Sequence, residues 1–226
     1  MPSPRVSIVI PALDEAQTLP ALLDDLAPLG EAVEIIVSDG GSTDATVNVA
    51  RARGIRVVHS PRGRAYQMRA GAAHGRAPVL LFLHADSGVP PATAQNIASL
   101  VPADGWGFFR PQLVGHSRWL PVVSWCMAMR SRCTAIATGD QGLFLSRALY
   151  EEIGGFPEQP LMEDIEICAR LRRRAPPRVL GAVLLSSGRR WDRDGAWRTI
   201  FLMWMLRLRY FLGADPSALH RAYYGR

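Results

Sequence analysis

The most constraining feature of the sequence is the segment Leu80-Leu-Phe-Leu-His-Ala-Asp-Ser87, in which an apolar run ends abruptly on polar side chains. A continuous apolar run of this length is typical of a strand that is buried on both faces of a parallel sheet. Ligands of open α/β sheets bind outside the carboxyl ends of the strands, which is where His84 and Asp86 would lie. A carboxylate at a rigid strand end can hold a divalent cation against an anionic ligand. Asp86 also fits a simpler role as the cap of the turn that follows.

Further apolar segments precede and follow this one, separated by segments with helical spacing of apolar residues. We predict strands over residues 6–10, 33–37, 56–59, 79–83, 106–109, 143–145 and 179–185. We predict helices over residues 16–29, 45–53, 65–74, 92–100, 163–174 and 196–212, a helix to Ile153 that Ser146 caps, and a short last helix that Asp215 and Pro216 open. Residues 117–133 are expected to form a helix or a loop followed by a helix. Strands that alternate with helices imply right-handed βαβ units. The predicted fold class is therefore α/β, with a mostly parallel central sheet and C-terminal helices.

The charge of the chain favours an anionic partner. The net charge is +6 and the isoelectric point about 9.9, which suits a nucleotide, a phosphorylated substrate or an acidic membrane surface. The basic residues are mostly arginines spread along predicted helices without a nucleic-acid motif, so we expect no nucleic-acid partner. Cys126, Cys133 and Cys168 form no C-x-x-C pair, which favours a reduced, cytoplasmic setting. We expect no signal peptide, because the chain runs at once into a strand, and no apolar run is long enough for a transmembrane helix.

Polar side chains gather at the predicted ends of strands one, two and four and around the start of the third helix. They are Asp14, Glu15, Asp39, Ser42, Asp44, Arg64, Arg69, His84 and Asp86. Carboxylates accept hydrogen bonds from base N–H groups and ribose hydroxyls, and arginines or a metal neutralise phosphates. Each residue alone fits ordinary capping or surface charge. Together they predict a nucleoside-diphosphate site.

Four motifs occur in a characteristic order: Val6-Ser-Ile-Val-Ile-Pro-Ala-Leu-Asp-Glu15, Ile36-Val-Ser-Asp-Gly-Gly-Ser-Thr-Asp44, His84-Ala-Asp86 and Met162-Glu-Asp164. This order resembles family 2 of the inverting glycosyltransferases over roughly residues 5–191. The resemblance implies the GT-A fold, a nucleotide-binding α/β sandwich that uses a nucleotide sugar and usually Mg²⁺ or Mn²⁺. Gly139-Asp-Gln141, Pro160-Leu-Met-Glu-Asp164 and Arg189-Arg-Trp191 are most similar to small bacterial glycosyltransferases associated with radical-SAM/selenodomain proteins.

The resemblance implies the organisation of the chain and of its donor site. A GT-A domain would span residues 1–195, with a nucleotide-binding half at 1–90 and an acceptor half at 91–195, and a helical appendage at 196–226. The donor would be a UDP- or GDP-sugar. The implied nucleotide-binding residues are Pro11, Leu13, Glu15, Asp39, Ser42, Arg64, Arg69 and Asp86. Asp86 would bind the metal. His84 stands at the first position of the D-x-D motif, where it would either ligate the metal, better Mn²⁺ than Mg²⁺, or bond a phosphate.

The resemblance also implies catalytic and acceptor residues. Asp164 matches the general base, and its neighbour Glu163 would orient the site or meet the acceptor. Arg190 and Trp191 resemble the arginine and tryptophan of the Q-x-x-R-W motif. Without the resemblance, the residues themselves suggest that Arg189 and Arg190 could close over the phosphates on a mobile loop hinged at residues 186–188. Asp140, Gln141 and Trp191 would meet a small-molecule or lipid acceptor. Ser187 stands where the Q-x-x-R-W motif of processive members has Gln, so we expect no processive polymerase.

Two other functions fit the same residues. A sugar nucleotidyltransferase would carry a Gly-rich, Arg-containing loop after strand one, where this chain has Pro11-Ala-Leu-Asp-Glu15. A non-catalytic nucleotide-sugar-binding protein would tolerate loss of the base, which this chain retains. Turnover of a nucleotide sugar distinguishes the three.

The predicted helix 196–212 carries one apolar stripe with arginines at its flanks. The stripe comprises Trp197, Ile200, Phe201, Trp204, Leu208 and Phe211. We expect it to pack against the sheet or a second subunit, and in-plane binding to the inner face of an anionic membrane is the alternative. Core packing is expected for two of the three tryptophans 106, 119 and 125.

Overall fold

The computed structural model describes residues 3–225 and contains eight strands and ten α-helices over that range. The strands are β1 Val6–Ala12, β2 Val33–Asp39, β3 Arg56–His59, β4 Val79–Phe82, β5 Ser87–Gly88, β6 Trp106–Val114, β7 Leu143–Ser146 and β8 Arg178–Ser187. The helices are α1 Leu19–Leu26, α2 Thr46–Ala52, α3 Arg64–His74, α4 Pro91–Ala98, α5 Leu120–Thr134, α6 Arg147–Glu152, α7 Glu163–Leu171, α8 Arg189–Asp194, α9 Ala196–Phe211 and α10 Pro216–Tyr224.

The strands form one sheet in the order β3-β2-β1-β4-β7-β6-β8-β5. The pairs β1–β2, β1–β4, β2–β3 and β6–β8 are parallel. The pairs that involve β7, and the pair β5–β8, are antiparallel. The predicted α/β class with a mostly parallel sheet is therefore confirmed, and the parallel half is the one that carries the strand-end motifs.

The core lies on both faces of the sheet, because side chains alternate along each buried strand. Ile8 and Ile10 face the layer that contains α1 and α4, whereas Val9 faces the layer that contains α3 and α7. Leu206 of α9 and Leu219 of α10 are fully buried in this second layer. The C-terminal helices therefore share the core of the sheet. The boundary at residue 195 stays a prediction.

The first strand is longer than predicted and continues through Pro11 to Ala12. The Val9 carbonyl accepts a hydrogen bond from Leu83 N, so the N–H groups of alternate residues face β4. The ladder with β4 ends at Val9. A backbone N–H at position 11 would therefore point beyond this ladder and have no strand partner. Proline, which has no N–H, is tolerated here for that reason.

Two other segments differ from the sequence prediction. The predicted helix 16–29 is divided into α1 and a 3-10 turn over Ala27–Ala32, since Gly30 adopts a positive φ of 52°. Residues 186–190 were predicted to be a mobile loop with a hinge. Ser186 and Ser187 instead pair at the end of β8, and α8 begins at Arg189.

Among the residues that the structure describes, no helix combines the length and the apolar character that a bilayer-crossing helix needs.

The close pairing of β6 and β8 requires glycine at position 107. A Cβ on Gly107 would lie 1.9 Å from the Arg178 carbonyl oxygen and 2.6 Å from the Phe144 ring. Gly107→Ala must therefore separate the strands, and we expect it to lower the free energy of unfolding by about 1–3 kcal/mol, as for other overpacked cores. Urea denaturation followed by circular dichroism measures this change.

Gly181→Ala is the matched control, because Gly181 lies on the neighbouring strand β8, where an added methyl group would meet no other atom within 4 Å. We expect this variant to be as stable as the parent or slightly more stable. Equal destabilisation of the two variants would show that the tight approach at Gly107 is not the cause.

Candidate functional site

A cleft opens at the carboxyl ends of β1 and β4 and is closed on its far side by α7. Its lining comprises Pro11, Arg64, Met68, Phe82, Leu83, His84, Ala137, Thr138, Gly139, Leu143, Phe156, Glu163, Asp164 and Cys168. Five of the residues that the sequence singled out thus meet in one place: Pro11, Arg64, His84, Glu163 and Asp164. Ligands of such sheets bind at this edge.

The loops after β1 and β2 are tied together by side chains that accept backbone hydrogen bonds. Ser42 Oγ accepts from Asp14 N at 3.0 Å, and Asp44 Oδ2 accepts from Ala16 N at 3.0 Å. Asp14 Oδ1 accepts from Thr43 N at 2.7 Å, with Asp14 itself at a positive φ of 55°. Ser42 and Asp44 therefore hold the rim of the cleft, and the loop that carries Leu13 and Glu15 is positioned by them.

Asp39 is 2% exposed at the end of β2, and its carboxylate is used by its own turn. The carboxylate accepts from Gly41 N at 3.1 Å and from Ser42 N at 3.2 Å, and His59 Nδ1 lies 3.4 Å away. Burial opposes ionisation, but the hydrogen bonds from Ser42, Gly41 and His59 outweigh it and hold the pKa of Asp39 below its ordinary value. Asp39 is thus an ionised acceptor at the rim of the site.

Asp86 lies in the turn between β4, which ends at Phe82, and β5, and it is paired with an arginine from the far end of the sheet. Arg189 Nη2 is 3.3 Å from Asp86 Oδ2 and 3.6 Å from Glu15 Oε2. Arg189 reaches this place because β5, the strand that follows Asp86, pairs with β8, the strand that precedes Arg189. A guanidinium therefore bridges two predicted nucleotide-binding carboxylates, Glu15 of the nucleoside pocket and Asp86 of the metal site.

His84 packs against the turn that contains Asp140. Its Nδ1 is 3.8 Å from Asp140 Oδ1, and its ring is so close to Gly139 that a Cβ there would lie 2.0 Å from Nε2. Burial, with the nearby charge of Arg64, lowers the pKa of His84 to about 3. His84 is thus neutral at physiological pH. Asp140 Oδ1 also accepts from Ser186 Oγ at 2.8 Å, so the turn is fixed to β8.

The two acids at the start of α7 differ in exposure and in partners. Glu163 is 4% exposed, and its Oε1 lies 3.8 Å from Arg64 Nη1. Burial, with the charge of neighbouring Asp164, raises the pKa of Glu163 to about 7. Asp164 is partly exposed, and its Oδ1 accepts from Ile165 N at 2.8 Å. Met162, in the left-handed region at φ 65°, turns the chain into the helix so that both acids border the cleft.

Two arginines from α5 and α9 complete the charges around Asp164. Burial raises the pKa of Asp164, and the charges of Arg207, Arg64 and Arg130 oppose this rise. Burial and the nearby charge of Arg207 lower the pKa of Arg130 to about 10, so Arg130 remains charged at physiological pH. Sequence reasoning missed Arg130 and Arg207, since neither stands near a motif.

Four predicted site residues are not part of the cleft lining and make other contacts. Gln141 is fully buried, and its Oε1 accepts from Ser131 Oγ at 2.7 Å. Trp191 packs against the cluster of Leu113, Leu120 and Val123. Arg69 donates to the Phe156 carbonyl at 2.8 Å, and Arg190 stacks over the Tyr223 ring at 3.8 Å. These contacts give each residue a structural role and lend no support to its functional one.

Gln67 of α3 is a further positioning residue that the sequence analysis did not identify. Its Nε2 donates to the Ala12 carbonyl at 2.6 Å and to the Ser38 carbonyl at 3.2 Å, so it joins the ends of β1 and β2. A Cβ at Gly40 would lie 2.9 Å from this amide. The glycine pair after Asp39 was the available signal, since it marks a close approach that only a small residue permits.

The geometry agrees with a family comparison. Residues 7–116 match the model of the family described as Glycosyl transferase family 2. Over those residues the chain is similar to family 2 glycosyltransferases. The matched region contains the ends of β1, β2 and β4 and the segments that follow them, with Glu15, Asp39 and Asp86.

Similar proteins share the domain over part of their length. The 4,4'-diaponeurosporenoate glycosyltransferase of Staphylococcus haemolyticus is 34% identical over 89 residues, which are 36% of this chain and 24% of that protein. The chain spans less than two thirds of the length of this and other curated relatives that it matches.

Two solved structures establish the GT-A fold. The mannosyltransferase PcManGT of Pyrobaculum calidifontis, in complex with GDP-Man and Mn²⁺, is 21% identical with a TM-score of 0.60 over 82% of this chain and 57% of that chain. The glucosyl-3-phosphoglycerate synthase of Mycobacterium tuberculosis, in complex with Mn²⁺, UDP and glucosyl-3-phosphoglycerate, is 23% identical with a TM-score of 0.57 over 87% and 76%.

The cleft fits a divalent cation only as a partner of a phosphorylated ligand. Among the described residues, no group of three His, Cys, Asp or Glu side chains is arranged to hold a metal ion. Asp86 supplies one carboxylate, and the His84 ring is held against Gly139. Magnesium-type sites commonly use one or two carboxylates and complete their coordination with substrate phosphates. The donor set at Asp86 suits that arrangement.

The ionised carboxylate of Asp39 should stabilise the fold in a pH-dependent way. Its pKa is depressed in the folded state, so its contribution is present above the unfolded-state pKa near 4 and is lost as the pH falls through the folded value. We expect Asp39→Asn to lower the free energy of unfolding by about 1–2 kcal/mol at pH 7 and by less near pH 3. Denaturation at the two pH values measures this difference.

Glu31→Gln is the control, since Glu31 is an exposed acid in the 3-10 turn before β2, at the opposite end of that strand from Asp39. A destabilisation by Asp39→Asn that stayed constant across the two pH values would contradict the assignment of the effect to ionisation.

Arg189 should compete with a metal ion for Asp86. Without nucleotide, Arg189→Ala leaves the two carboxylates unpaired, so we expect Mn²⁺ to bind up to about fivefold more tightly, the size of an exposed ion pair. With a nucleoside diphosphate present, we expect weaker nucleotide binding, because the released guanidinium would otherwise meet the phosphates. Electron paramagnetic resonance of free Mn²⁺ and calorimetry measure the two affinities.

Arg193→Ala on the same helix is the control, because Arg193 pairs with Asp194 at 2.8 Å and not with the cleft carboxylates. Unchanged or weaker Mn²⁺ binding by the Arg189 variant would show that the guanidinium does not occupy the metal position.

Proposed function

We propose that this chain is an inverting glycosyltransferase that moves a sugar from a nucleoside-diphosphate sugar to an acceptor hydroxyl. The observation that carries the proposal is the meeting of His84, which follows β4, with Glu163 and Asp164 of α7 in one cleft. Asp86 lies two residues beyond His84 and pairs with Arg189. An inverting reaction needs a base on the side of the sugar opposite the leaving group, and these two elements border the cleft from different sides. Likeness to the radical-SAM/selenodomain-associated members is part of the same proposal.

The nucleotide half of the cleft would take a UDP- or GDP-sugar. Pro11 and Leu13 would line the nucleoside pocket, with Glu15 beside them. Asp39 would accept a hydrogen bond from the base N–H. An ionised carboxylate has about four lone-pair sites, so it can accept this bond in addition to those from its own turn. Arg64, which lies in the cleft lining, would face the phosphates.

A divalent cation, Mg²⁺ or Mn²⁺, would be held at Asp86. When bound, it would supply positive charge against the diphosphate that leaves. Arg189 lies beside Asp86 and would contribute further positive charge to the same phosphates. His84 is neutral and fixed, so its proposed role is a hydrogen bond to a phosphate.

Asp164 would act as the general base. Its Oδ1 is occupied by the Ile165 N–H, and Oδ2 is the oxygen that would take the proton of the acceptor hydroxyl. The acceptor oxygen then forms a bond to the anomeric carbon, the bond from that carbon to the diphosphate oxygen breaks, and the proton stays on Asp164. The positive charges of Arg207, Arg64 and Arg130 favour the ionised form that begins this step. Glu163, which is largely protonated below pH 7, would be a positioning residue.

Removal of the base should affect turnover far more than donor binding. We expect Asp164→Asn to bind the nucleotide sugar normally and to transfer the sugar about 10²–10⁴ times more slowly, the usual contribution of general base catalysis. Release of nucleoside diphosphate, measured with a panel of UDP- and GDP-sugars and acceptors, gives the rate. Thermal shift with Mn²⁺ gives the binding.

Glu166→Gln is the matched control on the same helix, because Glu166 pairs with Arg170 at 2.9 Å. We expect near-normal turnover from it. Near-normal transfer by Asp164→Asn would place the base elsewhere. A parent protein that binds nucleotide sugars and never releases the diphosphate would favour the non-catalytic binding protein, and diphosphate exchange into the sugar nucleotide would favour a nucleotidyltransferase.

A further inference from the structure

Helix α9 is apolar on two opposite sides. One side packs into the core, where Leu206 is fully buried and Leu202 and Tyr210 are partly buried. The other side carries the stripe that the sequence predicted to be covered. The exposed fractions along this side are 67% for Trp197, 70% for Phe201, 71% for Trp204, 60% for Leu208 and 61% for Phe211. Within this chain the stripe is therefore exposed, and the expectation that it packs against the sheet is wrong.

Helix α5 extends the same apolar surface. Trp119, just before α5, meets Trp197 edge to face with ring centroids 5.4 Å apart. The two helices join through a small cluster in which Ile200 packs near Val123. Outside this seam, Val122, Trp125 and Met129 are 51%, 64% and 40% exposed. We name the exposed side chains of residues 119–129 and 197–211 the α5–α9 face.

Tryptophan is concentrated on the α5–α9 face. Of tryptophans 106, 119 and 125, only Trp106 packs in the core, so the expectation of core packing for two of the three is wrong. Four of the six tryptophans of the chain lie on this face. Exposure of so many large aromatic side chains on two adjacent helices indicates a surface that binds a partner.

The two helices of the α5–α9 face carry charges of one sign. Neither Leu120–Thr134 nor Ala196–Phe211 contains an aspartate or glutamate. Arg118, Arg132, Arg198 and Arg209 are exposed on these helices or directly before them. Within the part of the chain that the structure describes, none of the four makes an ion pair. An apolar centre with an unpaired basic border is the pattern by which amphipathic helices bind anionic lipid surfaces.

We propose that the α5–α9 face docks in the plane of an anionic membrane, with its aromatic side chains at the level of the lipid head groups. Tryptophan and tyrosine concentrate at this level in membrane proteins. At 1.5 Å per residue, α9 would lie along the surface for about 24 Å. A second copy of the chain fits less well, because a two-fold contact through this face would bring the arginines of both copies together without acidic partners.

The proposal does not depend on the proposed enzymatic activity, although the two agree in geometry. Arg130 and Arg207, the charges that act on Asp164, belong to the same two helices as the face. A membrane that held α5 and α9 would thus lie next to the acceptor side of the cleft. Vesicle binding is measured without turnover, so its failure would leave the transferase proposal untouched.

Vesicle binding of the full chain tests the proposal. We expect the parent protein to sediment with vesicles of phosphatidylcholine mixed with phosphatidylglycerol, to bind pure phosphatidylcholine vesicles more weakly, and to lose affinity as salt rises. Phe201→Ser combined with Trp204→Ser should weaken partitioning at least about tenfold, because two large apolar side chains no longer enter the interface. Trp125→Ser tests α5 by itself and should also weaken binding. Quenching of tryptophan fluorescence by brominated lipid should accompany binding.

Two double variants show whether binding depends on the arginines that border the face or only on the total charge of the chain. Arg198→Gln combined with Arg209→Gln should weaken binding to the anionic vesicles by about tenfold or more. Arg5→Gln combined with Arg51→Gln removes the same charge from exposed positions on another part of the chain and should leave binding nearly unchanged. Circular dichroism and Mn²⁺-dependent nucleotide binding check that each variant is folded.

Two results would overturn the proposal. One is failure of the parent protein to sediment with the anionic vesicles at low salt. The other is a light-scattering mass of two chains that Phe201→Ser combined with Trp204→Ser reduces to one, which would assign the face to a dimer instead.

Discussion

The cleft depends on the burial of one strand, β1. All seven residues of Val6–Ala12 are buried, so their backbone N–H and C=O groups must be paired within the protein. Parallel partners on both sides, β2 and β4, satisfy that requirement. Because the three strands run in one direction, the segments that follow Ala12, Asp39 and Phe82 emerge at one edge. The site is therefore a consequence of hydrogen-bond satisfaction in the core.

Charge balance gives the site its second constraint. Several carboxylates are brought to one edge, and three of them (Glu15, Asp86 and Glu163) lie beside an arginine from a distant part of the chain. Arg189 bridges Asp86 and Glu15 across more than one hundred residues of sequence, and Arg64 faces Glu163. Buried charges without partners would be costly. The cleft is thus organised before any ligand enters. A cation or a phosphate that binds there must replace one partner of an existing ion pair.

Much of the fold and part of the site could be predicted from the sequence. The strands that lead to Glu15, Asp39 and Asp86 were predicted, with ends one or two residues off, because apolar runs that stop before acids are local patterns. Gln141 and Trp191 were assigned to an acceptor, and the structure gives them packing contacts that the sequence did not show, Gln141 fully and Trp191 partly buried. Motif spacing gives a residue's position in the chain, and it does not give the direction of its side chain.

The sequence by itself determined the α/β class, the order of the strands along the chain and the net positive charge, since these follow from local hydrophobic periodicity and composition. Tertiary structure alone decided which charges meet. It placed Arg130 and Arg207 near Asp164, and it left the outer side of α9 uncovered. The physical reason is that amphipathic periodicity shows that a helix has an apolar side, whereas the packing of two helices against one core decides which apolar side remains outside.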